Sequence, residues 1–227
     1  MSPQASLPRT ALLAGATGLV GHALLARLLA DPAYRRVIVL ARKALPGQRA
    51  DPKLDWREVD FSRLPEPFPA VDDVYIALGT TIGVAGSEAA FRRVDFDAVV
   101  DVARAAHAAG AMRLGVVSAL GADAGSRVFY NRVKGETEAA LAALGYETLA
   151  IARPSLLMGD RAALGQPARR GERFALRLLS PVLKLVPAGM RPIAAAQVAA
   201  ALHREVVAGR PGIHRLDSAG MQQQVLA

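Results

Sequence analysis

The amino-acid sequence predicts an α/β protein built on one doubly wound parallel sheet. Apolar strand-like runs alternate six times with helix-like stretches, the runs are continuous, and the first turns into its helix through three spaced glycines. Continuous apolar runs mark strands buried on both faces, the pattern of a parallel sheet covered by helices on each side. At 227 residues, 52% apolar and 21% charged, the chain has enough core for a single domain of this class.

Thr10 to Ala14 is the first apolar run and stops at Gly15. From Leu19 to Ala30, Leu and Ala recur at helical spacing until Asp31-Pro32 ends the helix. Val37-Ile38-Val39-Leu40 reads as a fully buried strand, Trp56 to Val59 as a weaker one and Val74 to Leu78 as the fourth. Ser87 caps a long helix to about Ala109, with Phe91, Val94, Ala98, Val99, Val102 and Ala106 on one face and Gly110 at its end. Leu114 to Val117 is the fifth strand, Tyr130 to Leu144 the next helix, and Thr148 to Ala152 the sixth strand. Right-handed crossovers then place every strand's C-terminal end along one rim. This core runs over 8–158. The region 159–227 is expected as a helical elaboration on the substrate side. In it lie a basic loop, an amphipathic stretch (Phe174, Leu178, Leu179, Val182, Leu183), a helix from Ala194 to Ala208 and a last strand from Ile213 to Leu216.

Composition excludes several chemistries. The chain has no cysteine, so there are no disulfides, thiolate metal sites or cysteine nucleophiles. Its four histidines (His22, His107, His203, His214) show no metal-ligand spacing, and no metal is expected. The net charge of +8 is spread along the chain without a dense basic run or interleaved aromatics, so nucleic acid is not an expected partner. Ala11 to Ala30 is apolar, but its glycines, His22 and Arg27 fit a buried strand and helix better than a signal peptide or membrane span. The expectation is a cytoplasmic monomer or homodimer.

Gly15-Ala16-Thr17-Gly18-Leu19-Val20-Gly21 is a GxxGxxG loop between a predicted strand and a predicted helix. In that context glycines let the backbone approach a pyrophosphate, and free amides at the helix N-terminus meet its charge. A dinucleotide (Rossmann) site follows. Domains preferring NAD usually place an acid about 20 residues beyond the glycines; here the place is held by Ala41-Arg42-Lys43. Two cations there favour NADP(H), with NAD(H) as the second possibility. Asp60-Phe61 follows the third strand, where an acid can accept from the adenine amino group. Leu78-Gly79-Thr80 follows the fourth, where a small residue lets the chain pass close to the cofactor.

Tyr130-Asn131-Arg132-Val133-Lys134 is a YxxxK pattern. Val133, Thr137, Leu141 and Leu144 define the helix's core face, and Tyr130 and Lys134, one turn apart, project to the same side, away from Arg132 and Glu136. A free phenol near ~10 is a poor proton-transfer group at neutral pH. A lysine cation beside it favours phenolate, so Tyr130 can give a proton to a carbonyl or take one back. Lys134 would also hold the nicotinamide ribose. Ser118, ending the fifth strand, can polarise the substrate oxygen.

Taken in order, GATGLVG at 15–21, ALGTT at 77–81, FRRVD at 91–95, VVSALGAD at 116–123, YNRVKGETE at 130–138 and ARPSLLMGDR at 152–161 resemble the atypical short-chain dehydrogenase/reductases. Within these the resemblance is to the small NAD(P)-binding oxidoreductases akin to the Tat-interacting tumour-suppressor oxidoreductase. It implies cofactor contacts from Gly15, Thr17, Gly18, Leu19, Val20 and Gly21, from Arg42 and Lys43 at a 2′-phosphate, and from Gly79 and Thr80. It implies Ser118, Tyr130 and Lys134 at the centre, with Pro154, Ser155 and Leu156 against the nicotinamide. The asparagine that many such enzymes add to this set has no clear counterpart; Asp95 stands nearest.

The leading expectation is an NADP(H)-dependent oxidoreductase acting on a small carbonyl or alcohol, with most of its substrate pocket supplied by Gly159 to Pro192. Arg161, Arg169, Arg170 and Arg173 there would suit an anionic substrate, although such residues more often form a solvated basic loop. The alternative is a redox-sensing or interaction protein that binds the nucleotide with little or no turnover. Membrane association through Arg173 to Leu185 is not expected, because two prolines interrupt the apolar face.

Overall fold

The computed structural model describes residues 8–43, 50–159 and 187–223. The basic loop and the amphipathic stretch expected between 161 and 185 lie outside these residues.

Seven strands form one parallel sheet: β1 (Arg9–Ala14), β2 (Tyr34–Ala41), β3 (Leu54–Glu58), β4 (Asp73–Ile76), β5 (Arg113–Val117), β6 (Thr148–Arg153) and β9 (Gly212–Asp217). Their order is β3-β2-β1-β4-β5-β6-β9, so the direction of strand addition reverses between β1 and β4. Two short strands, β7 (Leu157–Met158) and β8 (Ile193–Ala194), pair separately. β2 starts at Tyr34, earlier than its apolar run, and β3 starts two residues before Trp56.

Helices cover both faces. On one lie α1 (Leu19–Ala30) and α6 (Ala195–Ala208), where Leu24, Leu28, Val198 and Leu202 pack on Ala11, Leu13, Val37 and Val39. On the other lie α4 (Ala98–Ala108) and α5 (Phe129–Ala142), where Val99, Val102, Ala106 and Leu141 pack on Leu12, Ile38, Ile76 and Leu114. Each fully buried leucine contributes about 1.5–3 kcal/mol relative to exposure. α6 and β9 therefore belong to the sheet's own layers and not to a substrate-side elaboration, because α6 carries an apolar stripe that the sheet between β5 and β6 buries.

The long helix expected from Ser87 is interrupted. Ser87 does cap α3 (Glu88–Arg92), its hydroxyl accepting from Ala90 N–H at 3.1 Å, but residues Arg93–Asp97 form a wide π turn before α4. The extra residue rotates the face, so Asp95 is fully buried where Val94 was expected and Val94 is only half-buried. π turns inside α-helices recur at functional sites.

At the N-terminal ends of the strands is a buried polar cluster. Tyr34 Oη donates to Asp73 Oδ2 at 2.6 Å and lies 2.9 Å from Tyr75 Oη, while Arg9 pairs with Asp73 at 3.0 Å and His203 meets Asp31 at 3.0 Å. It ties β1, β2 and β4 to α6 and explains why β2 begins at Tyr34.

Candidate active site at the C-terminal rim

The glycine turn sits where strand order reverses, the usual ligand crevice of an open α/β sheet. Gly15 has φ +93°, and a Cβ there would stand 2.5 Å from the Ala77 backbone that follows β4. A Cβ at Gly21 would stand 1.9 Å from the Gly15 carbonyl. The turn thus lies directly against the end of β4, with the first turn of α1 folded onto it. Gly18 N–H bonds Gly15 O at 3.1 Å, and no side chain caps α1. Uncapped amides aimed at a crevice that only glycine backbone permits fit the pyrophosphate of a dinucleotide.

Arg42 and Lys43 are exposed at the end of β2, on the same rim. Asp60 is exposed beyond β3, with Oδ1 accepting from Ser62 N–H and hydroxyl at 2.9 and 2.8 Å, bonds that hold its carboxyl below the usual range. Phe61 is half-buried and packs on the core together with Leu78. Gly79 and Thr80 follow β4, and Thr80 N–H donates to Asp95 Oδ2 at 2.9 Å.

Lys134 and Tyr130 occupy the inner side of α5, as their spacing predicts. Lys134 is 6% exposed, and its Nζ lies 2.7 Å from Asp95 Oδ1. This is a close ion pair without an aligned hydrogen bond at Oδ1. Thr137 Oγ1 is 2.9 Å from the Asp95 carbonyl, so α5 also supports the π turn. Tyr130 is half-buried, with its ring 5.5 Å from that of Phe91.

Ser118 directly follows β5 on the same rim but faces a partner that the sequence reading passed over. Its hydroxyl donates to Glu138 Oε1 at 2.5 Å. Glu138, 4% exposed, also accepts from both ends of the Arg153 guanidinium, 2.9 Å from Nε and by a shorter bond from Nη2. Glu138 thus accepts from the serine hydroxyl and the guanidinium fork together, and the bonds to it raise Arg153 above its ordinary value. Ser118 therefore presents a lone pair to the rim and not the proton that polarising a carbonyl requires. One signal was present in the sequence: Glu138 lies four residues after Lys134, on the helix face that cannot be solvent. A small enclosed cavity, with about 10 Å³ open to the centre of a water, touches Asp95, Lys134, Thr137, Ser118 and Glu138. An open groove of about 460 Å³ beside Arg35, Lys53 and Asp55 lies at the opposite end of β2 and β3 and carries none of these groups.

Past β6, Pro154 is buried, its carbonyl accepting from Leu120 N–H at 2.9 Å. The Ser155 hydroxyl is engaged by the Arg191 carbonyl and by Ser218 Oγ at 2.9 Å, so it fastens the later chain and its side chain is turned from the rim. Leu156 is exposed, and its carbonyl accepts from Ile193 N–H at 2.9 Å. Gly159 returns to the glycine turn, a Cβ there being 2.7 Å from Leu19 Cδ2. Among the described residues no His, Asp or Glu cluster suited to a metal occurs, and no helix is long and apolar enough to cross a membrane.

Comparison with known proteins agrees with this geometry. Residues 15–156 match the NAD(P)H-binding family. The protein FMP52 of Eremothecium gossypii is 38% identical over 152 residues, covering 66% of this chain and 67% of that one. The protein HTATIP2 of Rattus norvegicus is 34% identical over 171 residues, 74% of this chain and 69% of that one. In fold, an oxidoreductase of the short-chain dehydrogenase/reductase family from Burkholderia thailandensis superposes with a TM-score of 0.69 at 19% identity, covering 97% and 98% of the two chains. The cytoplasmic expectation is corrected by the FMP52 proteins, which are named as mitochondrial in several fungi. Sequence family and sheet topology converge: this chain belongs to the NAD(P)H-binding family and has the Rossmann-type fold of the short-chain dehydrogenase/reductases.

Proposed function

We propose that this chain is an NADP(H)-dependent oxidoreductase that moves hydride to or from a small carbonyl or alcohol. The observation that carries this is Lys134. Its amine is buried, yet it stands at the rim beside the chain leaving β4: a Cβ at Gly79 would lie 3.8 Å from Nζ. Burying an ammonium is costly, and one carboxylate partner compensates only in part. A ribose hydroxyl at that place supplies the remaining acceptors.

When bound, the nicotinamide supplies or accepts the hydride. The chain's own residues do the rest. The glycine turn and the α1 N-terminus hold the pyrophosphate, and Arg42 and Lys43 meet a 2′-phosphate. Lys134 orients the ribose. Tyr130 Oη gives its proton to the substrate oxygen in reduction and takes one back in oxidation. Ser118, its proton held by Glu138, accepts from the hydroxyl of the alcohol form and so orients it. Leu156, exposed past β6, offers the substrate an apolar wall.

The test is NADPH consumption against a panel of aldehydes and ketones, with calorimetric titration of both nucleotides. Turnover that Tyr130→Phe lowers by about a hundredfold or more, with nucleotide affinity retained, is the expected result. Protein that binds neither nucleotide overturns the proposal.

A further inference from the structure

We propose that the rim around this site selects a carbonyl compound with an apolar body, an alkyl chain or hydrocarbon ring, over a polyhydroxylated or charged one. The proposal rests on the oxidoreductase reading above and names the substrate class of that same site.

The first observation is where apolar side chains meet water. Single exposed apolar residues are ordinary on a protein surface, whereas a gathering of them marks a contact site. Among the described residues, six of the eight large exposed ones stand on the rim that carries Tyr130 and Ser118. Met112 and Ile213 stand at the opposite end of the sheet.

The six flank the site on three adjacent strands. Beyond β4, Ile82 and Val84 are exposed on α2 (Ile82–Ala85), a helix that buries none of its residues and packs on α3. α3 carries Phe91, whose ring lies 5.5 Å from that of Tyr130. Beyond β5, Leu120 N–H donates to the Pro154 carbonyl at 2.9 Å and Asp123 N–H to the Asn131 carbonyl at 3.0 Å. That loop therefore bridges the exit of β6 and the first turn of α5, where Tyr130 sits, and Val128 immediately precedes this turn. Beyond β6 stands Leu156. The Arg191 carbonyl, held by the neighbouring Ser155 hydroxyl, brings Met190 alongside it.

The second observation is that polar groups on this rim are committed within the protein. Ser118 donates to Glu138, the Lys134 amine pairs with Asp95, and Ser155 is held by Arg191 and Ser218. Thr81 caps α2 by accepting from Val84 N–H at 3.3 Å, and Arg132 donates to the Ser126 carbonyl at 3.1 Å. A sugar-like or charged body laid here gives up its hydration to groups already engaged, which is costly. Each methylene laid against the apolar side chains instead gains about two- to fourfold in affinity. The reaction is unchanged: the carbonyl carbon takes the hydride of the reduced nicotinamide, its oxygen takes a proton, and the apolar body is left intact.

Straight-chain aldehydes from propanal to octanal, reduced with NADPH, give one measure. Their kcat/KM is expected to rise about two- to fourfold with each methylene. Calorimetric titration of the NADPH-loaded protein with 1-butanol and 1-octanol, which cannot be reduced, reads the same preference without turnover. Octanol is expected to bind at least about tenfold tighter. Leu120→Gln combined with Met190→Gln is expected to shrink that ratio about fivefold or more, whereas Met112→Gln, at the far end of the sheet, leaves it as in the wild type.

Octanol that binds no tighter than butanol overturns the inference, as does an equal loss in Met112→Gln. Absent length preference in a protein that sediments with phosphatidylcholine vesicles, or that self-associates through this rim, assigns the apolar groups to a membrane or a second copy and overturns it likewise. Nucleotide binding without any gain along the alcohol series sinks only the substrate class. Wild-type protein that binds neither nicotinamide dinucleotide sinks the oxidoreductase reading beneath it.

Discussion

The Ser118 hydroxyl and the Glu138 carboxylate lie 2.5 Å apart across the interface between β5 and α5, with Arg153 closing the far side. A hydroxyl at a strand end is thus tied to a helix carboxylate and, through it, to the next strand. Glu138→Gln leaves Arg153 without its counter-charge in a site only partly open to water. It is expected to cost about 3 kcal/mol, tempered by the 30% exposure of the Arg153 side chain. Ser118→Ala leaves the ion pair standing and is expected to cost about 1–2 kcal/mol. Urea unfolding of both variants checks the ranking; a Ser118→Ala as damaging as Glu138→Gln would contradict the arrangement.

Gly21→Ala places a methyl 1.9 Å from the Gly15 carbonyl, where no side-chain motion relieves it. The turn must open, and the amides of α1 lose their aim. Dinucleotide affinity is expected to fall at least about tenfold, which removes most of the upward shift in Tm that saturating nucleotide gives the wild type. A thermal-shift series with NADPH measures this, and an undiminished shift in the variant counts against the pyrophosphate site.

Reversing the charges at the end of β2 distinguishes the two nucleotides. Arg42→Glu with Lys43→Glu is expected to weaken NADPH binding by about tenfold or more, each lost charge-assisted contact being worth about 1–3 kcal/mol. NADH, lacking the 2′-phosphate, is expected to bind as before. Equal losses for both would place the phosphate elsewhere.

Burial pushes Asp73 up from 3.8 to about 6, against the hydrogen bond from Tyr34 and the charge of Arg9 that pull it down. Between those values the folded protein holds more protons than the unfolded chain. The corresponding stability is complete below 3.8 and is lost as pH rises through about 6. Asp73→Asn carries no such proton. Wild-type stability measured relative to this variant is expected to drop by about 3 kcal/mol across that window. Burial lowers His203 in the same cluster, so its own contribution is lost as pH falls through the histidine range, and it is common to both proteins. Parallel urea-denaturation curves from about pH 4 to 7 would exclude the Asp73 effect.

Much of this molecule is readable from residue pattern. Continuous apolar runs gave β1, β2, β5 and β6, and leucine spacing closed by Asp31 gave α1 with its bounds as found. These features are local. What escaped was decided by partners distant in sequence. Tyr34 joins β2 because Asp73 and Tyr75, about forty residues on, take its hydroxyl. β3 is half-buried along its length, so its hydrophobic signal is weak and its start was placed late. Asp95 reads only as the nearest stand-in for a missing asparagine, and Glu138 carries no role in the pattern, until the π turn and the contact between α5 and the end of β5 bury them. The exposed short helix α2 (Ile82–Ala85) and the two-residue strands β7 and β8 are too brief for periodicity to register.

One consequence follows from the way β9 joins the sheet. Its partner β6 lies some sixty residues earlier, at Thr148↔Gly212 through Arg153↔Asp217, with α6 in the connection between them. β9 is also the outermost strand of the sheet, paired on one side only. Its outward positions stay wet, so amide deuteration should erode the sheet from this margin inward, leaving the paired amides of the central β1–β4 ladder among the slowest to exchange.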